Sequence, residues 1–176
     1  MRSAIFLFAA VLCGCGELGK VKQGRVIAYD AARGVVTLVG DSNHRSPGRP
    51  RYDILPPETV RVPLEAAEMG PAPEAGQLIE FDPDKGRLII FDARSVSFRQ
   101  IAFQVVEPGV APPGHTLAIY SPARRALVTV AVAEPDRSLP AGTWRFGDEV
   151  RYYYKQPGQA LRMMNVTKTD IAKSGR

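Results

Sequence analysis

Residues 26–39 read VIAYDAARGVVTLV, and this stretch decides the fold. Two mainly apolar runs flank a short segment that opens with Asp30 and closes with Gly34. An aspartate side chain accepts hydrogen bonds from the amides of a turn, and glycine readily adopts the positive φ that tight turns need. The stretch therefore predicts a β-hairpin.

The same hairpin pattern recurs twice along the chain. Residues 78–91 (LIEFDPDKGRLIIF) place Asp82 and Gly86 in register with the first copy. Residues 117–130 (LAIYSPARRALVTV) form a weaker third copy, in which serine opens the turn. Repeated turn residues of this kind indicate repeated β structure, and they carry no signal for an activity.

Apolar and polar residues alternate in three further segments, which is the period of a strand with one buried face. These segments are residues 59–64, 100–105 and 149–155. We expect an all-β fold of about ten strands, with no helix beyond a turn at residues 65–69. Residues 41–76 are rich in proline and glycine and form the longest irregular stretch.

The strands fall into two halves, each ending in a strand led by a glycine, Gly76 or Gly147. We expect two small tandem barrels that resemble oligonucleotide/oligosaccharide-binding (OB) folds, at residues 21–95 and 96–171, with a tail at 172–176. Units of about 75 residues are marginal alone, so the two should share an interface. A single ten-stranded barrel or sandwich is the alternative.

The first fifteen residues, MRSAIFLFAAVLCGC, are typical of a lipoprotein leader. Arg2 precedes an apolar run at residues 4–12, which is shorter than the roughly 20 residues that cross a bilayer. Residues 12–15 (LCGC) match the lipobox, whose cysteine is acylated before cleavage. This predicts a signal peptide at 1–14, an acylated Cys15, and a tether at 15–23. An ordinary secretory signal or an uncleaved anchor are the alternatives.

Lipidation would fix the location and the first partner of the protein. We expect it to be held at the bacterial cell envelope by acyl chains, at the outer membrane facing the periplasm, because Gly16 and not aspartate follows the acylated residue. Lys20 and Lys22 are the predicted contacts to lipid headgroups. The net charge of +5 is mild and there is no basic helix, so we expect no nucleic-acid partner.

The cysteine and histidine content leaves little for cofactors. Cys13 would leave with the leader and Cys15 would carry lipid, so the mature chain would have no disulfide. The two histidines, His44 and His115, lie among loop residues, and we expect neither a metal nor another cofactor. Residues 82–86 (DPDKG) begin like a calcium loop, but the later ligands are missing, which favours a hairpin turn.

Residues 149–155 offer the best candidate for ligand contact. On the outer side of this strand Arg151, Tyr153 and Lys155 would alternate, and a tyrosine between cations can stack on a sugar. The alternative is a solvated strand face with cross-strand ion pairs. Trp144, just before the strand, is expected to fill the core between the two halves.

A second candidate is a basic loop at residues 42–51. It could meet phosphates of lipid or lipopolysaccharide, or be merely solvated, and its basic side chains are His44, Arg45, Arg49 and Arg51. No serine lies in a G-x-S-x-G elbow, and we expect no catalytic residues, although two carboxylates brought together by folding would not be visible in the sequence.

Residues 20–30 (KVKQGRVIAYD), 68–76 (EMGPAPEAG) and 147–155 (GDEVRYYYK) together resemble a domain-of-unknown-function family of small lipoproteins from sulfate-reducing bacteria. The resemblance implies an envelope location and a shared fold, and it implies no catalytic or binding residue. We therefore expect a non-catalytic envelope lipoprotein that acts as an interaction or assembly module. A module that binds a glycan or another anionic ligand is the first alternative, and an enzyme of unknown type is the second.

Overall fold

The computed structural model describes residues 19–46, 50–107, 109, 114–133, 139 and 142–174 of the chain. The predicted leader, Cys15 and Arg49 lie outside the described residues. Within the described part, no helix has the length and apolar character needed to cross a membrane.

Nearly all of the regular secondary structure in the described residues is β-strand, which confirms the all-β prediction. The strands are β1 (Lys20–Asp30), β2 (Val35–Asp41), β3 (Tyr52–Arg61), β4 (Leu78–Asp82), β5 (Arg87–Asp92), β6 (Ser97–Gln100), β7 (Phe103–Val105), β8 (His115–Ser121), β9 (Ala126–Val132), β10 (Glu149–Gln156) and β11 (Gln159–Asn165). The helices are α1 (Ala66–Met69), where the sequence predicts a turn, and α2 (Val166–Ser174), so the prediction of no helix beyond residues 65–69 is wrong.

Five strands close into a barrel in the order β1-β10-β11-β3-β2. All neighbours are antiparallel except β11 and β3, which run parallel where Gln159 meets Arg61. A closed ring leaves no edge strand, and five strands is the number in an OB-type barrel. Three of the strands come from the first predicted unit and two from the second. The described chain thus closes one barrel across both units instead of one barrel in each.

Strand β3 runs through the stretch that the sequence marked as irregular. It contains Pro56 and Pro57, and the Leu55–Pro56 peptide bond is cis. The register between β2 and β3 shifts between Leu38 and Gly40, opposite these prolines. Proline cannot donate to a ladder hydrogen bond and is tolerated at such irregularities, so the strand continues through them.

Alternate residues of the barrel strands form a closed core. Leu38 and Val39 are consecutive and both fully buried, because Leu38 points into the barrel and Val39 points away from it into a second interface. The core of the barrel consists of the strand residues Val26, Val36, Leu38, Val60, Val150, Tyr152, Tyr154, Ala160 and Met163, together with Val62 after β3 and Met69 of α1.

The segment between β3 and β10 forms a β-sandwich. Its two sheets have the orders β4-β5-β6 and β7-β9-β8, and they bury one shared core. That core consists of Leu78, Phe81, Leu88, Ile90, Ile101, Ile119, Val128, Val130 and Val132. Trp144 is half-buried against this core, so it packs within the sandwich.

The sheet β4-β5-β6 is the middle one of three layers. On β5, Leu88 and Ile90 face the sandwich core, whereas Phe91 packs against Val39 and Tyr52 of the barrel. A strand that is buried on both faces carries a continuous apolar run instead of strict alternation. This explains the sequence RLIIF, and it makes the barrel and the sandwich one packed body.

The chain crosses between the barrel and the sandwich twice at one point. The amide of Gly76 donates to the carbonyl of Val26 (3.1 Å), and the amide of Val26 donates to the carbonyl of Asp148 (2.9 Å). A Cβ on Gly147 would lie 1.8 Å from the Val26 oxygen, and one on Gly76 would lie 2.3 Å from the Arg145 oxygen. Only glycine lets these backbones approach so closely.

We predict that Gly147→Ala lowers the free energy of unfolding by about 3 kcal/mol, because the methyl group collides with backbone that cannot move aside. The matched control is Gly86→Ala. Gly86 has a φ of 62° and no atom near its Cβ position, so only backbone strain of about 1 kcal/mol is expected. Urea denaturation of both variants measures the difference, and a Gly147→Ala protein as stable as the control would contradict the tight crossing.

Candidate functional site

The outer side of β10 carries the residues that the sequence selected for ligand contact. Val150, Tyr152 and Tyr154 are buried in the barrel, whereas Arg151 and Lys155 are exposed. The predicted alternation of this strand is therefore confirmed.

The three candidate side chains have different surroundings. Arg151 donates two hydrogen bonds to Oε1 of Gln23, at 3.1 Å from Nε and 2.7 Å from Nη2. The half-buried Tyr153 accepts a hydrogen bond at its hydroxyl from the amide of Gly19 (3.1 Å). Lys155 lies in solvent. Among the described residues, the strand thus presents one cation held by Gln23, one tyrosine whose hydroxyl binds Gly19, and one exposed cation.

Arg151 belongs to a polar network beneath the loop at residues 42–50. Nε2 of the buried Gln23 donates to Oδ2 of Asp41 (3.1 Å). The other oxygen of Asp41 accepts from the amides of Asn43 (2.8 Å) and Arg51 (2.7 Å), at the two ends of the loop. The buried Asp41 carboxylate therefore closes the loop and ties it to the barrel. Sequence reasoning missed Gln23 and Asp41, because nothing local marks two residues on neighbouring strands as partners.

Arg151 also lines a cavity of about 520 Å³, between this loop and helix α2. His44 lines it from the loop, so the structure brings together members of the two predicted candidate groups. Glu149, Asp170 and Thr167 line the same cavity. A cavity of this size, with both charge signs, can hold a small polar molecule. Tyr153 and Lys155 are not among its lining residues.

A cation–aromatic cluster lies next to this network, where the barrel meets the sandwich. The guanidinium of Arg25 lies between the rings of Tyr52 (4.3 Å) and Phe146 (4.7 Å). Its Nη1 donates to the carbonyl of Gly147 (3.1 Å). The Tyr52 hydroxyl donates to Glu149, and burial raises the pKa of Tyr52, so the phenol stays protonated as a donor. This cluster fastens the two bodies to each other.

The two predicted headgroup contacts lie on the other side of β1. Lys20 and Lys22 pair with Tyr154 and Tyr152, whose side chains belong to the barrel core. Nζ of Lys22 donates to Oε2 of Glu58 (2.8 Å), whereas Lys20 is exposed. Because β1 begins at Lys20, residues 20–23 of the predicted tether are part of the strand.

The remaining sequence candidates lie at the surface. In the turn at residues 82–86, Oδ1 of Asp82 accepts from the amides of Asp84 and Lys85 (both 3.1 Å). The side-chain hydrogen bond from Lys85 lowers the pKa of the Asp82 carboxyl. These contacts fit the predicted hairpin turn. The part of the chain that the structure describes contains no group of three or more His, Cys, Asp or Glu residues placed to hold a metal ion.

The basic loop is described in part. Nδ1 of His44 donates to the carbonyl of Asp41 (3.2 Å), and Arg51 forms an ion pair with Asp53 (2.7 Å). Arg45 is exposed, and Arg49 lies outside the described residues. Two of these four basic residues are therefore held at the base of the loop by contacts within the protein.

Comparison with known proteins identifies a family for nearly the whole chain. A family model described as Domain of unknown function (DUF4881) matches residues 17–111 and 108–174. No curated protein matches the chain, and no solved structure matches it. The expected resemblance to a family of unknown function is confirmed.

We predict that Asp41→Asn lowers the free energy of unfolding by about 2 kcal/mol, because a buried donor loses its acceptor. The new NH₂ group of the asparagine would face Nε2 of Gln23, so that two donors would oppose each other. Flipping the Gln23 side-chain amide would bring its Nε2 against Arg151, which is also only a donor. Asp84→Asn is the control: Asp84 pairs with Arg124 at the surface, where loss of charge costs less than about 1 kcal/mol. Equal urea midpoints for the two variants would contradict the network.

Proposed function

The chain belongs to the DUF4881 family, and we propose that it is a lipid-anchored protein of the bacterial cell envelope that acts, without catalysis, as an interaction or assembly module. The observation that carries the proposal is the lipobox at residues 12–15, directly after an apolar run of signal-peptide length. Lipidation at Cys15 leaves a short connection to the folded body, because β1 begins at Lys20.

The location follows from the same leader. The likeness to small lipoproteins of sulfate-reducing bacteria and the glycine after Cys15 support an outer-membrane anchor that faces the periplasm. An acyl chain contributes about 0.8 kcal/mol for each buried CH₂ group, and several chains on one residue anchor a protein firmly. The membrane is therefore the first partner of the proposed module.

The sandwich supplies a surface that supports a role in protein interaction. Tyr120 and Leu127 are cross-strand neighbours on β8 and β9, and they are 51% and 71% exposed. Thr129 and Ala118, the next pair along these strands, are exposed and uncharged. An uncharged sheet face with large apolar side chains is typical of a protein contact surface.

The cavity beside Arg151 favours a second candidate function, the binding of a glycan or another anionic ligand. Arg151 is held in place by Gln23 and faces a cavity of about 520 Å³. A fixed guanidinium recognises a carboxylate or phosphate through paired hydrogen bonds, and the hydroxyl of Thr167 and the ring of His44 could serve a sugar.

We predict that Cys15→Ser abolishes acylation and leaves an uncleaved precursor, because serine offers no thiol for the lipid. Cys13→Ser is the matched control, since Cys13 leaves with the signal peptide and serine is also small. Fractionation and mass spectrometry of the mature protein measure both effects. A Cys15→Ser protein that still matures and stays with the lipid fraction would overturn the proposal.

The two candidate functions differ in a retention experiment on peptidoglycan sacculi. We predict that Arg151→Lys and the wild-type protein are retained equally, with Arg33→Lys in the β1–β2 turn as the control. Lysine keeps the charge and a donor to Gln23, but it loses the paired geometry of arginine. A loss of about tenfold for Arg151→Lys alone, with unchanged melting, would favour ligand binding.

A further inference from the structure

We infer that the outer face of β1, β10 and β11 lies against the membrane, with anionic lipid headgroups as its partner. This rests on the proposed lipidation of Cys15 and names the surface that the anchor would bring to the bilayer. We call it the anchor face, and its residues are Val21, Tyr153, Lys155, Leu161, Arg162 and Met164.

Strand register places these residues on one face. Val21 pairs with Tyr153, and Tyr153 pairs with Arg162 on the next strand, so the three form one row. In the neighbouring row Met164 pairs with Arg151. The intervening residues, such as Tyr152 and Met163, are buried in the barrel, so the rows point outward.

The anchor face exposes apolar side chains beside one another. Val21 is 49% exposed, Leu161 42% and Met164 41%. Val21 lies opposite Tyr153 of β10, and Met164 lies opposite Arg151 of β10. Leu161 lies in the bulge where the register between β10 and β11 shifts. Exposed apolar residues around a tyrosine suit the boundary between headgroups and acyl chains, where amphipathic rings are favoured.

The charge of the anchor face complements an anionic membrane. Lys155 is exposed, and Arg162 is only loosely paired, with 3.6 Å between its Nε and Oε2 of Glu68. Lys20, at the start of β1, is also exposed, but it lies on the other side of the strand and does not belong to the anchor face. Each cation near an anionic surface contributes about 1 kcal/mol of attraction. Lys22 contributes less than the sequence suggested, because Glu58 neutralises it.

The tether fixes which side of the protein can reach the bilayer. The Tyr153 hydroxyl holds the amide of Gly19 at 3.1 Å, so the described chain starts on the anchor face. Cys15 is four residues before Gly19, and four residues span at most about 14 Å. The other end of β1, at Asp30, is ten residues after Lys20 and roughly 33 Å from it. Acyl chains on Cys15 would therefore bring the anchor face, and not the β1–β2 turn, to the membrane.

Single-cysteine labelling tests this orientation, because the only cysteine of the mature lipoprotein is acylated and an introduced one is the only free thiol. Leu161→Cys and, as control, Thr129→Cys on the outer sheet of the sandwich are labelled with a fluorophore on the lipidated protein. The vesicles contain phosphatidylethanolamine and phosphatidylglycerol, with brominated acyl chains as quencher. We expect at least twofold quenching at position 161 and none at position 129.

The outcomes separate this inference from the proposed lipidation. Protein that floats with the vesicles but shows equal quenching, or none, at both positions overturns the anchor face and leaves lipidation intact. A label at position 161 that is shielded from water but not quenched means that a second protein copy covers the face, which also overturns it. Protein that does not float overturns both.

Charge substitutions test the headgroup partner in the same assay. In protein labelled at position 161, the ratio of quenched to unquenched molecules measures how often the anchor face contacts the membrane. Lys155→Gln should lower this ratio about fivefold, because the surface loses one cation. Arg33→Gln, at the far end of β1, should leave it unchanged. Vesicles of phosphatidylcholine alone should lower it for the wild-type protein. Equal ratios for both variants in anionic vesicles would overturn the choice of anionic headgroups.

Discussion

The close backbone crossing at Gly76 and Gly147 is the constraint on which the rest of the structure depends. Here the chain leaves the barrel for the sandwich and later returns. Both passages contact the backbone of Val26 in β1. The return lets β10 and β11 complete a ring that β1, β2 and β3 begin. A bulkier residue at either glycine would push the passages apart, and the barrel would lose its closing strands or its contact with the sandwich.

The crossing also explains why barrel and sandwich are one body. It sets the sheet β4-β5-β6 against the barrel, so that Phe91 fills the junction on one side while Ile90 fills the sandwich core on the other. Arg25 extends this junction, because it stacks between Tyr52 of the barrel and Phe146 at the end of the sandwich segment. Removing either part would expose the junction residues Val39, Tyr52 and Phe91, which fits the expectation that units of this size are marginal alone.

Local features of the fold could be read from the sequence, and long-range pairing could not. Asp30 with Gly34 and Asp82 with Gly86 mark two hairpins correctly, because turn chemistry is local. Besides its hairpin neighbour β2, β1 pairs with β10, with Lys20 opposite Tyr154, and three similar hairpins give no signal for that choice. Helix α2 has a local signal in Asn165, a residue type favoured at the N-cap, and its Oδ1 accepts from the amide of Lys168 (3.0 Å).

The candidate site follows the same division, and under the proposed lipidation the fold would also orient the protein. Alternation placed Arg151, Tyr153 and Lys155 on one side of β10, but their partners come from distant parts of the chain. The hydroxyl of Tyr153 accepts from the amide of Gly19, so the barrel fixes the point from which the proposed tether would extend. Acyl chains alone would leave a protein free to rotate on a long linker. If Cys15 carries the proposed lipid, its distance of four residues from Gly19 would allow little rotation, and the residues around Gly19 would then contact the membrane.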